Sequence, residues 1–141
     1  MRSNTPTCFL RGTKAIKAII RVRISQHDAH YGGGLVSGAQ ILGLFGDAAT
    51  EVLIRQDGDE GLFVAYDEVV FLAPVYAGDF LEVSATLERK GNRSRKFSFQ
   101  AIKVIEASRD LSQPSKAHVL APPVVVANAS GTCVIPRQGS K

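Results

Sequence analysis

Between Leu35 and Arg55 the apolar residues Leu35, Ala39, Leu42, Phe45, Ala49, Val52 and Leu53 recur mostly at spacings of three and four, and this run constrains the fold most. The spacing predicts one amphipathic helix of about 20 residues, roughly 30 Å long. Gly38, Gly43 and Gly46 lie inside it, and each interior glycine costs about 1 kcal/mol relative to alanine. The expected compensation is a sheet pressed close against the helix. The turn sequence DGDEG, Asp57 to Gly61, ends the run.

The flanks read as strands. Ile16, Ala18, Ile20, Val22 and Ile24 alternate with Lys17, Arg21 and Arg23, a period of two that marks a half-buried strand. After the helix, Phe63 to Ala73 is rich in Val, Phe and Tyr, and PVYAGD (Pro74 to Asp79) makes a break. Leu81, Val83, Ala85 and Leu87 alternate, and a turn at Gly91 and Asn92 leads to Phe97, Phe99 and Ala101. Residues 106 to 121 are aperiodic and expected to form a mobile loop, and Val124 to Ile135 is the last strand. One strand, one long helix and about four antiparallel strands make an α+β pattern, with the sheet wrapped around the helix. A single domain is expected over residues 13–136, with tails at 1–12 and 137–141.

Composition narrows the class. Of the 141 residues, 45% are hydrophobic and 21% charged, as in globular proteins, and no apolar run approaches the roughly 18 residues of a membrane span. Cys8 and Cys133 have neither ligand nor disulfide spacing, and the N-terminus shows no leader pattern, so a cytoplasmic protein is expected. The net charge of +4 favours anionic partners only weakly. The dense basic patch ERKGNRSRK lacks interleaved aromatics and basic-helix character, which argues against nucleic acid. It reads either as a solvated hairpin end or as a site for a small phosphorylated ligand.

The stretch HDAHYGGGLVSGAQ, His27 to Gln40, is the candidate site. It fits neither the phosphate-loop nor the dinucleotide glycine spacing. His27 and His30 lack the further ligands a zinc site needs, so no metal is expected. Acid–base chemistry remains. Asp28, His30 and Tyr31 handle protons, while Gly32, Gly33 and Gly34 admit close backbone approach, with amides expected at a helix N-terminus where an enolate oxygen is favoured. A capped helix start would give the same residues. Asp47 and Glu51, four apart on the helix with Gln40 on the same stripe, are either a solvated face or a carboxylate pair that a second subunit covers.

The segments DAHYGGGLVSGAQ, LFGDAATEVLI, DGDEGLFVAYD, VFLAPVYAGDFLEV and GNRSRK, resuming at PPVVVANASGTCV, resemble the hotdog-fold family of β-aminoacyl-CoA ammonia lyases. The resemblance spans about Ile20 to Ile105 and the last strand. It implies a hotdog fold, in which an antiparallel sheet wraps one central helix, and dimers that assemble into tetramers or hexamers. Acyl-CoA sites would lie between subunits, with no cofactor beyond the coenzyme A of the substrate. It further implies reversible loss of ammonia from a 3-aminoacyl-CoA, with acyl-CoA thioester hydrolysis as the alternative on the same fold. Asp28 and His30 would form one side of the site and Glu51, with Asp47, the other. Tyr31, Gly33 and Gly34 would contact substrate, and Asn92, Ser94, Arg95 and Lys96 would hold the CoA moiety. Three positions depart from the family pattern: Gly34, commonly Asn; Val70, often Glu; and Asn128, often Arg. These departures bear on which amine is preferred.

Overall fold

The computed structural model describes residues 15–137. The expected tail at 1–12, residues 138–141 of the C-terminal tail, and Cys8 lie outside the described residues. Within them the elements run β1 (Ile16–Arg23), α1 (Gly38–Asp57), β2 (Leu62–Phe71), β3 (Phe80–Lys90), β4 (Ser94–Ala107) and β5 (Ala117–Val134). The strands form one antiparallel sheet in the order β1-β3-β4-β5-β2. β1 and β2 are the two edges, so α1 carries the chain from one edge of the sheet to the other. That crossing buries the apolar stripe of the helix against the inner sheet face.

Strand parity decides what faces the helix, because successive side chains point to opposite faces. Leu81, Val83 and Ala85 of β3 and Phe97, Phe99 and Ala101 of β4 are buried, and meet Ile41, Phe45, Ala48, Ala49, Val52 and Leu53 of α1. Phe45 stacks on Phe99 with ring centroids 5.1 Å apart, and Phe63 stacks on Phe99 at 5.7 Å. Tyr66 donates its hydroxyl to the Leu42 carbonyl at 2.8 Å. Burial pushes that phenol up to about 12, so it remains a donor.

Three sequence expectations are corrected. The helix begins at Gly38, not Leu35, because Leu35 and Val36 form β-bridges to Tyr76 and Ala29, leaving Ser37 as the N-cap. Residues 106–121 are not one loop: β4 runs on to Ala107 and β5 starts at Ala117, with Ile105 opposite Val119 and Glu106 opposite His118. Register shifts after Ala101 and Lys103 break the alternation there, and Pro122 and Pro123 fall in the unpaired bulge between Val119 and Val124, where a missing amide donor does no harm. The glycines of α1 are not all pressed by the sheet. A Cβ on Gly38 would stand 2.4 Å from the Phe71 ring, whereas at Gly43 and Gly46 it would meet nothing within 4 Å. Their backbone lies open on the helix face that the sheet leaves uncovered.

Candidate functional site

The segment from Ser25 to Ser37 is a folded loop stitched to the 75–77 segment. Asp28 donates its amide to the Ser25 carbonyl at 3.0 Å, and its carboxylate accepts the Ser25 amide at 3.2 Å. His30 and Tyr31 both donate their amides to the Leu35 carbonyl at 3.0 Å. Val36 donates to the Val75 carbonyl at 2.9 Å, and Ala77 donates to the Gly34 carbonyl at 2.9 Å. His30 and Tyr31 project outward with their rings edge to face at 4.6 Å, Tyr31 being 55% exposed. Gly33 (φ +75°) and Gly34 (φ +80°) occupy the left-handed region, which a side chain other than Asn or Asp adopts only at a cost. They form a 3₁₀ turn, Gly32–Gly34, separated from α1 by the bridging residues. Their amides therefore do not belong to the first turn of α1, contrary to the sequence expectation.

Ser25, Gln26, Gly33 and Gly34 of this loop form one wall of an open cleft of about 790 Å³, which Asp28, His30 and Tyr31 do not line. The other walls are the Tyr76–Gly78 segment, the end of β1 with Arg23, and the Ala107–Leu111 stretch that follows β4. Arg109 lays its guanidinium over the Tyr76 ring, 3.5 Å from the centroid, and a Cβ on Gly33 would stand 3.8 Å from its Nη2. Beneath the cleft lies Asp79, fully buried. Its Oδ2 accepts the Tyr76 amide at 2.8 Å and pairs with Lys103 Nζ at 3.2 Å; its Oδ1 accepts the Ala107 amide at 2.9 Å. Lys103 is itself only 3% exposed and has Glu106 as a second partner at 3.6 Å. One carboxylate thus ties two walls of the cleft together.

A second, apolar slot of about 370 Å³ lies at the start of α1, lined by Leu35, Val36, Gly38, Ile41, Phe71 and Val126 among others. Phe71 is 53% exposed and its ring sits directly on Gly38. The slot is apolar, whereas the larger cleft offers polar and cationic groups.

Of the residues singled out from sequence, the fold brings Asp28, His30, Tyr31, Gly33 and Gly34 together on one loop. Asp47 and Glu51 share the uncovered face of α1, but Glu51 is thirteen residues beyond Gly38, about 20 Å along the helix at the usual rise. Glu51 accepts an ion pair from Arg55 at 3.0 Å. Within one chain it does not reach the glycine loop. The basic turn is farther still, since it packs beside Asp57 at the opposite end of α1.

Arg95 is the clearest correction. It is 5% exposed, and its guanidinium grips both oxygens of Asp57 at 2.9 and 3.1 Å and donates to the carbonyls of Gly91 and Ser94. Four of its five donors are thereby engaged, which leaves little for a phosphate. Lys96 pairs with Asp67, while Asn92 and Ser94 are exposed at the turn. Arg95 and Lys103 fall on the inward parity of β4 with Phe97, Phe99 and Ala101, so the alternation marked both as buried groups in need of partners. Asp79, Tyr76 and Arg109 had no comparable signal. Val70 and Asn128, two of the departures from the family pattern, are direct cross-strand partners, with Asn128 also accepting from Gln100 at 3.2 Å. They amount to one exchanged pair on the outer face of the sheet.

A five-stranded antiparallel sheet curled about one long helix is the hotdog fold, and the chain belongs to the Thioesterase superfamily, whose family model matches residues 33–104. Within it the chain groups with the β-aminoacyl-CoA ammonia lyases. It is 57% identical over 122 residues, 86% of this chain and 96% of the relative, to the 3-aminobutyryl-CoA ammonia lyase of Acetoanaerobium sticklandii. It superposes on the β-alanyl-CoA:ammonia lyase of Clostridium propionicum with a TM-score of 0.84 at 37% identity, covering 90% of each chain. A hexameric hotdog-fold thioesterase of Campylobacter jejuni shares the fold with a TM-score of 0.68 at 20% identity, covering 86% of this chain and 85% of that one.

Proposed function

We propose that the protein catalyses the reversible elimination of ammonia from 3-aminobutyryl-CoA, or a similar 3-aminoacyl-CoA, to the 2-enoyl-CoA. The observation that carries this is the 57% identity to a lyase of that name over nearly its whole length. The C2–H and C3–N bonds break, a C2–C3 double bond forms, and the proton and ammonia leave. That balance needs no redox or metal cofactor. A carboxylate base removes the C2 proton, acidified by the thioester, and we assign it to Glu51, with Asp47 beside it. An amide of Gly33 or Gly34 steadies the enolate oxygen. Asp28 and His30 hold the ammonium and its departing proton, and Tyr31 borders the substrate.

Because Glu51 and the glycine loop stand about 20 Å apart along one helix, this assignment requires two copies of the chain. Two features support a homodimer. β2 is an edge strand of ten residues with Leu62, Val64, Val70 and Phe71 exposed, while the opposite edge, β1, exposes Ile16 and Ile19 but also carries Lys17, Arg21 and Arg23, the kind of charge that blunts edge pairing. The bare glycine face of α1 admits close approach by another chain. The outer sheet face carries a patch of neutral polar residues, Ser84, Ser98, Gln100, Asn128 and Ser130, in register, on which dimers could stack into a tetramer or hexamer. We place the enzyme in the cytoplasm, where acyl-CoA thioesters are made and used; among the described residues no helix is long and apolar enough to cross a membrane.

Incubating the purified protein with 3-aminobutyryl-CoA, and measuring free ammonia and CoA thiol together, tests the reading. Ammonia with enoyl-CoA is expected. Thiol release without ammonia would instead establish an acyl-CoA thioesterase, the alternative that the superfamily fold keeps open.

A further inference from the structure

Two guanidinium groups face the cleft beside the glycine loop without an ion-pair partner among the described residues. Arg23 lies 5.6 Å from the centroid of the Phe80 ring, and Arg109 lies flat on Tyr76. Asp110 also lines the cleft, but its carboxylate turns to the amide and hydroxyl of Ser112, at 2.9 and 2.7 Å, and forms no ion pair with Arg109. By contrast, Arg95 and Lys96 in the basic turn are committed to Asp57 and Asp67. Arg89 and Arg93 of that turn also form no ion pair among the described residues, Arg93 donating its Nε to the Ile135 carbonyl, and what sets the cleft apart is that one of its two guanidinium groups is stacked in place.

Arg109 is also held in place. Asp79 accepts the amides of Tyr76 and Ala107 with its two oxygens, which fixes the ring that Arg109 covers and the strand end two residues before it. Gly33 closes against the guanidinium from the loop. Stacking leaves the N–H edge of an arginine free to form paired hydrogen bonds to a phosphate, a geometry in which lysine is no substitute.

From this geometry we infer that Arg109, stacked on Tyr76 and seconded by Arg23, is the group that binds the phosphates of the substrate. It rests on the protein taking an acyl-CoA, and it moves the phosphate site from Asn92–Lys96 to the cleft. Asp79 is its positioning residue. The ligand chemistry is a phosphate ester or diphosphate, and the phosphate-free thioester of pantetheine has no claim on Arg109.

The test compares Arg109→Ala with the unaltered protein on 3-aminobutyryl-CoA and on the matching pantetheine thioester, with free CoA and pantetheine as ligands in calorimetry. Arg109→Ala is expected to raise KM for the CoA ester by about 10- to 100-fold, to change kcat less than about twofold, and to leave the pantetheine ester unaffected. Arg109→Lys should recover only part of the loss. Equal losses on both thioesters would overturn the assignment and reduce Arg109 to a packing residue, and unchanged CoA binding would overturn it outright. Because calorimetry needs no turnover, weakened CoA binding in a protein that releases no ammonia would uphold the clamp while sinking the lyase reading. Arg109 is exposed, and an unchanged melting temperature will show that the variant is folded.

Discussion

Replacing Asp79 with Asn removes a charge from a site with no access to water. The side chain is fully buried, and its removal leaves Lys103, 3% exposed, with only Glu106 at 3.6 Å. Breaking one partner of a buried ion pair costs about 3–5 kcal/mol. Asparagine keeps one acceptor oxygen, so it can satisfy the Tyr76 or the Ala107 amide but turns a donor toward the other, and the loss stays within that range. Measured by urea unfolding with m near 2 kcal/mol/M, the midpoint should fall by about 1.5–2.5 M. Protein concentration must be held fixed, because association would add to the apparent stability. A loss under about 1 kcal/mol would refute the reasoning. So would a double-mutant cycle with Lys103→Met in which the coupling stays below about 0.5 kcal/mol.

Other expectations follow from the site and its surroundings. Glu51→Gln should lower kcat at least about 10²-fold, while loss of the Arg55 pair costs only about 0.3–0.5 kcal/mol; retained activity would mean that another group is the base. The hydrogen bonds and charge of Arg95 hold Asp57 below its ordinary 3.8, so its contribution to stability is present above that value and fades as pH falls through the lowered one. Arg95→Met should flatten the acid side of the stability profile, and an unchanged slope between about pH 5 and 3 would contradict this. Burial pushes the Cys133 thiol from 9.0 to about 11, so its contribution is whole below pH 9.0 and is lost as pH rises toward 11. In a Cys8→Ser background the native protein should resist thiol reagents at neutral pH and react on unfolding, whereas rapid labelling of the native protein would show Cys133 to be accessible.

Much of this architecture was legible in the chain. The helix announced itself through twenty residues of 3.6-residue periodicity, and β3 and the middle of β4 through alternation. Errors fell where a local pattern continued past its structural cause. Leu35 and Val36 keep the apolar helical spacing yet lie in bridges, because the Val36 amide donates to the Val75 carbonyl and the Leu35 carbonyl accepts the amides of His30 and Tyr31. The start of β5 was invisible because bulges and two prolines erase the period of two. At the candidate site, Asp28, His30, Tyr31, Gly33 and Gly34 share one loop because they fall within seven positions of one another. Arg95 was assigned to the CoA moiety along with its basic neighbours, although its parity with Phe97 and Phe99 places it inside.

The sequence by itself therefore determined the helix, the middle of each strand and which faces are apolar, since those depend on residues a few positions apart. It also determined kinship with the ammonia lyases, carried by contiguous motifs. Only the tertiary structure decided the partners of the charged groups: Asp57 with Arg95, Asp79 with Lys103, and Arg109 upon Tyr76. Each joins residues more than twenty positions apart, so it follows from strand register and loop closure. Which arginine lies buried and which faces the cleft turns on that register, and with it the place where a phosphate can bind.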